Sequence, residues 1–229
     1  MNTKILMLSK KNNIFCDFAK AILLSYFSEK ETITISGVVN TSIDEGLCMY
    51  KPDYIISFLS PWVIPKTLLN SAKIAAINFH PGSPDYPGTG CYNFAIYEKA
   101  IKYGITCHHM NEKVDTGDII KVRYFDMAPN ESVESLKLKS MNHMLLCFTE
   151  IIEMIYNNQD LPASQEKWKR KAFTRKQLDE LCQIDLKNDD ENEINLKIRA
   201  TYYPGAKGPY VRINNNNFIL QADGREPII

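Results

Sequence analysis

The sequence contains neither a G-x-G-x-x-G nor a G-x-x-x-x-G-K-[ST] signature, and its first loop, Ser9-Lys10-Lys11-Asn12-Asn13, has no glycine. Backbone N–H groups cradle a pyrophosphate where glycines let the chain approach closely, so a bound dinucleotide or nucleoside triphosphate is not expected. A G-x-S-x-G elbow is also absent, which argues against a Ser-His-Asp hydrolase. Charge of one sign is not in excess: 27 Lys and Arg balance 27 Asp and Glu. The chain therefore carries no overall electrostatic footprint for a polyanion such as a nucleic acid, although a local basic patch stays open. None of the six cysteines forms a C-x-x-C pair, and several lie in apolar runs, as expected of reduced, buried thiols. No apolar run is long enough to cross a bilayer, and Met1 to Ser9 reads as a short strand rather than a signal peptide. A cytoplasmic protein with no membrane partner is the expectation.

The length of 229 residues and a hydrophobic content of 45% suit one α/β domain with a small appendage. Thr3 to Ser9, Thr32 to Val39, Asp53 to Leu59 and Ile74 to Phe79 read as strands. Helical spacing runs through Ile14, Phe18, Ile22 and Phe27, and helices are also expected over Pro65 to Ala72, Cys91 to Tyr103 and Glu131 to Asn158. Ile105 to Met110 and Ile119 to Asp126 read as two further strands. This alternation predicts a Rossmann-like, mostly parallel sheet flanked by helices over residues 1–162. Residues 163–194 read as a connecting helix and loop segment, with an acidic solvated loop over Leu186 to Glu193. Residues 195–229 read as a small β subdomain. Its expected strands are Leu196 to Tyr203 and Pro209 to Ile213, and a turn at Asn214 to Asn217 leads into Phe218 to Gln221.

The most informative residues are Asn78-Phe79-His80 at the end of the fourth strand, with Asp115 following in Val114-Asp115-Thr116-Gly117-Asp118. Residues i and i+2 of a strand share a face, so an amide and an imidazole lean over one point. Asp115 lies in a turn-like loop within reach of that imidazole. An amide donor, a titratable ring and a carboxylate can transfer an acyl group without a covalent intermediate. Asp118 is the competing carboxylate. Cys107-His108-His109 invites a metal reading, but adjacent strand residues point to opposite faces and do not chelate one ion together, so no metal is expected. One of these two histidines is free to join His80 and Asp115.

This pattern, with Pro81-Gly82-Ser83-Pro84 and Tyr86-Pro87-Gly88 between its halves, resembles the folate-dependent formyltransferases. The resemblance is good over roughly residues 50 to 125. It implies that N10-formyltetrahydrofolate is the formyl donor, with Asn78 as oxyanion donor, His80 as proton handler and Asp115 as the group that holds the imidazole. It further implies a pterin slot lined by Ser60, Trp62, Ile64, Glu112, Val114 and Asp115, and an acceptor side shaped by Tyr86, Gly88 and Thr89. Where the family usually has leucine-proline in the acceptor loop, this chain has Ser83-Pro84-Asp85.

Within the family, the glycinamide ribonucleotide enzyme uses a glycine-rich first loop that this chain lacks, and the methionyl-tRNA enzyme has a longer, basic C-terminal domain. The formyl-folate hydrolases add an N-terminal regulatory domain. The remaining resemblance is to bacterial nucleotide-sugar N-formyltransferases of surface-polysaccharide pathways such as O-antigen synthesis. Ile198 to Gly205 resembles their C-terminal segment, which implies that Tyr202 and Tyr203 stack on a pyrimidine and that Lys207 meets a pyrophosphate. The implied acceptor is dTDP-4-amino-4,6-dideoxyglucose, with 3-amino and UDP-linked sugars as alternatives. The resemblance also implies a homodimer joined through the C-terminal hairpin.

Overall fold

The fold was taken from a computed structural model that describes residues 3–220, without the side chain of Glu45. Strand β1 (Ile5–Lys10) is apolar and fully buried over its first four residues, as a strand covered on both faces requires. Helix α1 (Ile14–Tyr26) starts at Asn13, whose side chain accepts hydrogen bonds from the N–H groups of Phe15 and Cys16. β2 (Thr32–Gly37), β3 (Tyr54–Phe58), helix α2 (Lys66–Leu69) and β4 (Ala75–His80) complete the parallel half. After α3 (Cys91–Tyr97), the strands β5 (Lys102–His109) and β6 (Ile119–Asp126) add an antiparallel edge. The six-stranded order is β2-β1-β3-β4-β5-β6, with three parallel pairings followed by two antiparallel ones.

Helix α4 (Val133–Tyr156) is the longest. A capping box between Ser132 and Ser135 fixes its start. One face of α4 covers the sheet, and Phe148 stands edge-on to Phe58 at 5.3 Å and tilted to Phe79 at 5.1 Å. All three rings are almost completely buried. Phe148→Ala leaves a cavity beneath the strand that carries Asn78 and His80, so thermal denaturation should show a loss of about 3–5 kcal/mol.

The sequence-based helix over Cys91 to Tyr103 is shorter in the structure. The chain turns at Lys99, in the left-handed region, and Gly104 lies inside β5 rather than at a helix end. Beyond α4 the differences are larger. Helix α5 (Arg175–Cys182) lies in the segment expected to connect by helix or loop, whereas the short β7 (Gln183–Ile184) was not anticipated. The segment Leu196 to Tyr203, expected as a strand, lies mostly in helix α6 (Glu191–Thr201). That helix is set by Asp190, whose carboxylate accepts the Glu193 N–H, by acidic residues in the first turn and by Arg199 in the last. It packs on α3, where the Asn93 amide donates to the Ala200 carbonyl and the Tyr97 hydroxyl to Glu193. β8 (Tyr210–Ile213) and β9 (Asn216–Ile219) form the expected hairpin, pairing with β7 in a second sheet. Its turn contracts to Asn214-Asn215, both at positive φ, the conformation a two-residue hairpin turn needs. Gln221, the expected last residue of that strand, lies outside the described residues. Among the described residues no helix is long and apolar enough to cross a membrane.

Candidate active site

The sheet register assembles the site. Asn78 on β4 lies directly opposite His108 on β5, and His80 opposite Thr106. The Asn78 amide nitrogen is 3.1 Å from His108 Nε2. Asp115 comes from the β5–β6 loop and sits between two imidazoles. Its Oδ2 is 3.1 Å from His80 Nδ1, and its Oδ1 is 3.2 Å from His108 Nε2. The backbone N–H of Gly88 donates to Asp115 Oδ2 at 2.7 Å. All three ionisable side chains are buried. Asp115 also has φ 47°, a left-handed backbone for a residue with a side chain, which its many partners hold in place.

Donor–acceptor logic assigns the protons. A carbonyl oxygen only accepts, so His80 Nε2, 2.9 Å from the Tyr86 carbonyl, carries hydrogen. His108 Nδ1, 2.7 Å from the His109 carbonyl, carries hydrogen as well. In the neutral form of His108, Nε2 then accepts from the Asn78 amide, whose second N–H remains for a ligand, and in the cationic form Nε2 donates to Asp115 Oδ1 instead. A proton on His80 Nδ1 makes that ring a cation facing the Asp115 carboxylate. Burial alone would push Asp115 up. The His80 imidazole, the hydrogen bond and charge of His108 and the Gly88 N–H outweigh it and hold the carboxyl well below its usual range.

A cavity of about 470 Å³ opens over this cluster. Ser60, Trp62, Ile64, Glu112, Val114 and Asp115 all line it, as do Asn78, His80, Gly88 and Thr89. Trp62 is half-buried, and its Nε1 donates to the Thr41 hydroxyl at 3.1 Å. Its ring and Val63, Ile64 and Val114 supply apolar wall, whereas Glu112 is drawn to Lys66 at 2.6 Å. Pairing in this way is chemically suited to a flat, partly apolar ligand. Tyr86 touches the site through its carbonyl, while its ring packs on Tyr103 and beneath the Arg170 guanidinium. Tyr202, Tyr203 and Lys207 lie outside the cavity lining. Lys207 instead reaches Asp179 at 3.4 Å and lies over the Tyr210 ring, and Tyr203 accepts a hydrogen bond from Lys137. Asp118 faces solvent, its side chain 88% exposed beside Lys167. His109 points away from His108 and lines a neighbouring cavity.

One functional element escaped sequence reasoning. Residues 163–174, read there as part of a connecting segment, form a strap across the site. The N–H of Lys169 donates to the Pro84 carbonyl, that of Phe173 to Pro87 and that of Thr89 back to Phe173. Trp168 Nε1 donates to the Gly117 carbonyl at 2.8 Å, and its ring stands edge-on to both His108 and His80. The available signal was Trp168 itself, a large aromatic in an otherwise basic, non-periodic stretch. Trp168→Phe keeps a ring but loses one hydrogen bond, about 1 kcal/mol. The expected result is a Tm about 2–4 °C lower, read by differential scanning fluorimetry.

An amide, two imidazoles and a shared carboxylate at strand ends define a Rossmann-like α/β protein with an acid–base site built for group transfer. Residues 9–147 match the formyl transferase family, and the chain belongs to that family. A methionyl-tRNA formyltransferase from Ehrlichia chaffeensis is 27% identical over 201 residues, covering 87% of this chain and 59% of the relative's length. The chain thus spans little more than half of that relative. Among solved structures, a 4-N formyltransferase from Francisella tularensis superposes with a TM-score of 0.78 at 22% identity, covering 97% of this chain and 98% of that one. An N-formyltransferase from Helicobacter canadensis, in complex with folinic acid and dTDP-3-aminofucose, gives 0.73 at 18% identity, covering 95% and 86%.

Proposed function

We propose that this protein transfers the formyl group of N10-formyltetrahydrofolate to the amino group of a nucleotide-linked amino-deoxysugar, with dTDP-4-amino-4,6-dideoxyglucose as the specific acceptor. The observation that carries the reading is the Asn78–His108–Asp115–His80 unit at the floor of a half-apolar cavity. The neutral sugar amine attacks the formyl carbon. The free N–H of the Asn78 amide stabilises the oxyanion, a type of contact worth about 3–4 kcal/mol. Cationic His80, stabilised by Asp115, exchanges the Tyr86 carbonyl for substrate, gives its Nε2 proton to N10 as the formyl–N10 bond breaks and tetrahydrofolate leaves, and takes up the proton lost by the attacking amine. The donor ring lies along Ser60 to Ile64 and Glu112 to Val114, and the acceptor lies towards Gly88 and Thr89. The reading extends to a cytoplasmic homodimer, joined through the β8–β9 hairpin, that serves surface-polysaccharide synthesis.

Support for a sugar acceptor comes from the folds of the two structural neighbours and from the absence of net positive charge. A methionyl-tRNA acceptor is the second reading, favoured by the named relative. Mass spectrometry of reactions with N10-formyltetrahydrofolate, a panel of dTDP- and UDP-linked 3- and 4-amino sugars and charged initiator tRNA decides between them. Formyl mass on the dTDP-4-amino sugar is the expected outcome. Formyl mass on another sugar or on the tRNA replaces the acceptor. Formate without an acceptor product means a hydrolase, and binding without reaction means a non-catalytic subunit.

A further inference from the structure

The charged groups of the cavity do not balance. Its two carboxylates are already engaged, Glu112 with Lys66 and Asp115 with the two imidazoles. Three lysines of the lining, Lys10, Lys113 and Lys137, have no carboxylate within 4 Å among the described residues. A cavity with surplus cations is built for an anion. Lys113 belongs to the donor wall, between Glu112 and Val114. Lys10 and Lys137 come from the other direction, the end of β1 and the start of α4, alongside Asn13 and Met141.

Lys137 is the better-placed of these two. It is half-buried and held from one side: Nζ donates to the Tyr203 hydroxyl at 2.6 Å and lies 4.4 Å from that ring's centroid. An ammonium has three donors, so two remain for the cavity. Tyr203 in turn packs against the apolar cluster of α3, α4 and α6 that includes Ala95, Leu136 and Ala200, which fixes the direction from which it presents the lysine.

Resting on the acceptor class proposed above, we infer that Lys137, positioned by Tyr203 and assisted by Lys10, binds the phosphate that links the acceptor sugar to its nucleotide. A free amino sugar is largely a cation near neutral pH and meets only repulsion from this wall. A phosphate-linked one brings the opposite charge, and selection for it follows. Tyr203 thereby serves the site without lining it, as a positioning residue for Lys137.

Calorimetric titration of the full chain with inorganic pyrophosphate and with dTDP tests this without any sugar. Wild type should bind both, Lys137→Ala should weaken both at least tenfold, and Lys137→Arg should stay within about threefold of wild type. Tyr203→Phe, which keeps the ring but removes the hydroxyl, should fall between them. Affinity for 5-formyltetrahydrofolate should be unchanged in all three variants, a result that a merely unfolded or distorted protein would not give. Absence of pyrophosphate binding to wild type, or equal binding to wild type and Lys137→Ala, overturns the inference. If no sugar is ever formylated but pyrophosphate binds in a Lys137-dependent way, the phosphate site stands and the acceptor reading falls. If a sugar is formylated with the same KM by wild type and Lys137→Ala, the inference falls alone.

Discussion

Asp115→Asn is expected to lower formyl transfer by roughly 10³- to 10⁴-fold while leaving a folded protein, the scale of loss when a buried carboxylate that orients a catalytic imidazole becomes an amide. The reason lies in what each atom of Asp115 touches. Oδ2 meets His80 Nδ1 and accepts the Gly88 N–H, and Oδ1 meets His108 Nε2. An amide presents one oxygen and one NH₂ group to the same three partners, so one of the two accepting positions is lost. If the amide oxygen keeps the Gly88 N–H, the amide nitrogen turns to His108 and competes with Asn78 for Nε2. Either arrangement removes the negative charge that stabilises a cationic His80. Single-turnover kinetics with saturating donor measure the loss. Turnover within tenfold of wild type would show that His80 works without its carboxylate.

The same substitution carries a pH signature. Asp115 is depressed in the native state, so its contribution to stability is complete above the ordinary carboxylate pKa of about 3.9. That contribution drains away as pH falls from there toward the depressed native value. Wild type should therefore lose stability from about pH 4 downward more steeply than Asp115→Asn, which has no proton to bind there. Urea denaturation across that range, compared between the two proteins, reads the difference.

How much of this was visible beforehand depends on whether the information was local. Ile5 to Leu8 and Tyr54 to Phe58 are continuous apolar runs, and their burial in the sheet centre follows from composition alone. Asn78 and His80 were legible because a two-residue period is a local fact, and the Asn214-Asn215 turn because asparagine tolerates positive φ. His108 could be raised only as one of two open possibilities. Its selection over His109 depends on the β4–β5 register, a pairing thirty residues apart in sequence, and on which face Asp115 approaches. The Leu196 to Tyr203 part of helix α6 was misread because Ile198 and Thr201 are β-branched, whereas the Asp190 cap and the packing against α3 decide the outcome. The strap at residues 163–174 was illegible for a different reason. It makes no regular element, so its backbone hydrogen bonds to Pro84, Pro87 and Thr89 follow no period.

The strap and the catalytic loop meet at Gly117, where the second large effect is expected. A Cβ built on Gly117 would lie 1.8 Å from the His109 carbonyl oxygen and 2.7 Å from its carbon. These are backbone atoms inside the sheet edge, so relief requires the β5–β6 loop itself to move. The His109 carbonyl also accepts from His108 Nδ1, and the His109 N–H donates to the Asp118 carbonyl. The Gly117 carbonyl accepts from Trp168. Displacing this one peptide therefore disturbs the His108 tautomer, the turn that carries Asp115 and the anchor of the strap together. Gly117→Ala should cost about 3 kcal/mol, the upper part of the range for an overpacked site. For a chain of this size that corresponds to a Tm lower by roughly 6–12 °C. Activity should fall further than stability explains, because residual folded protein holds Asp115 off its two imidazoles. The check is kcat at a temperature where circular dichroism shows the variant still fully folded. A folded Gly117→Ala with wild-type kcat would mean that the loop accommodates the methyl group without moving Asp115, and that the carboxylate's position is set by Gly88 and the imidazoles alone.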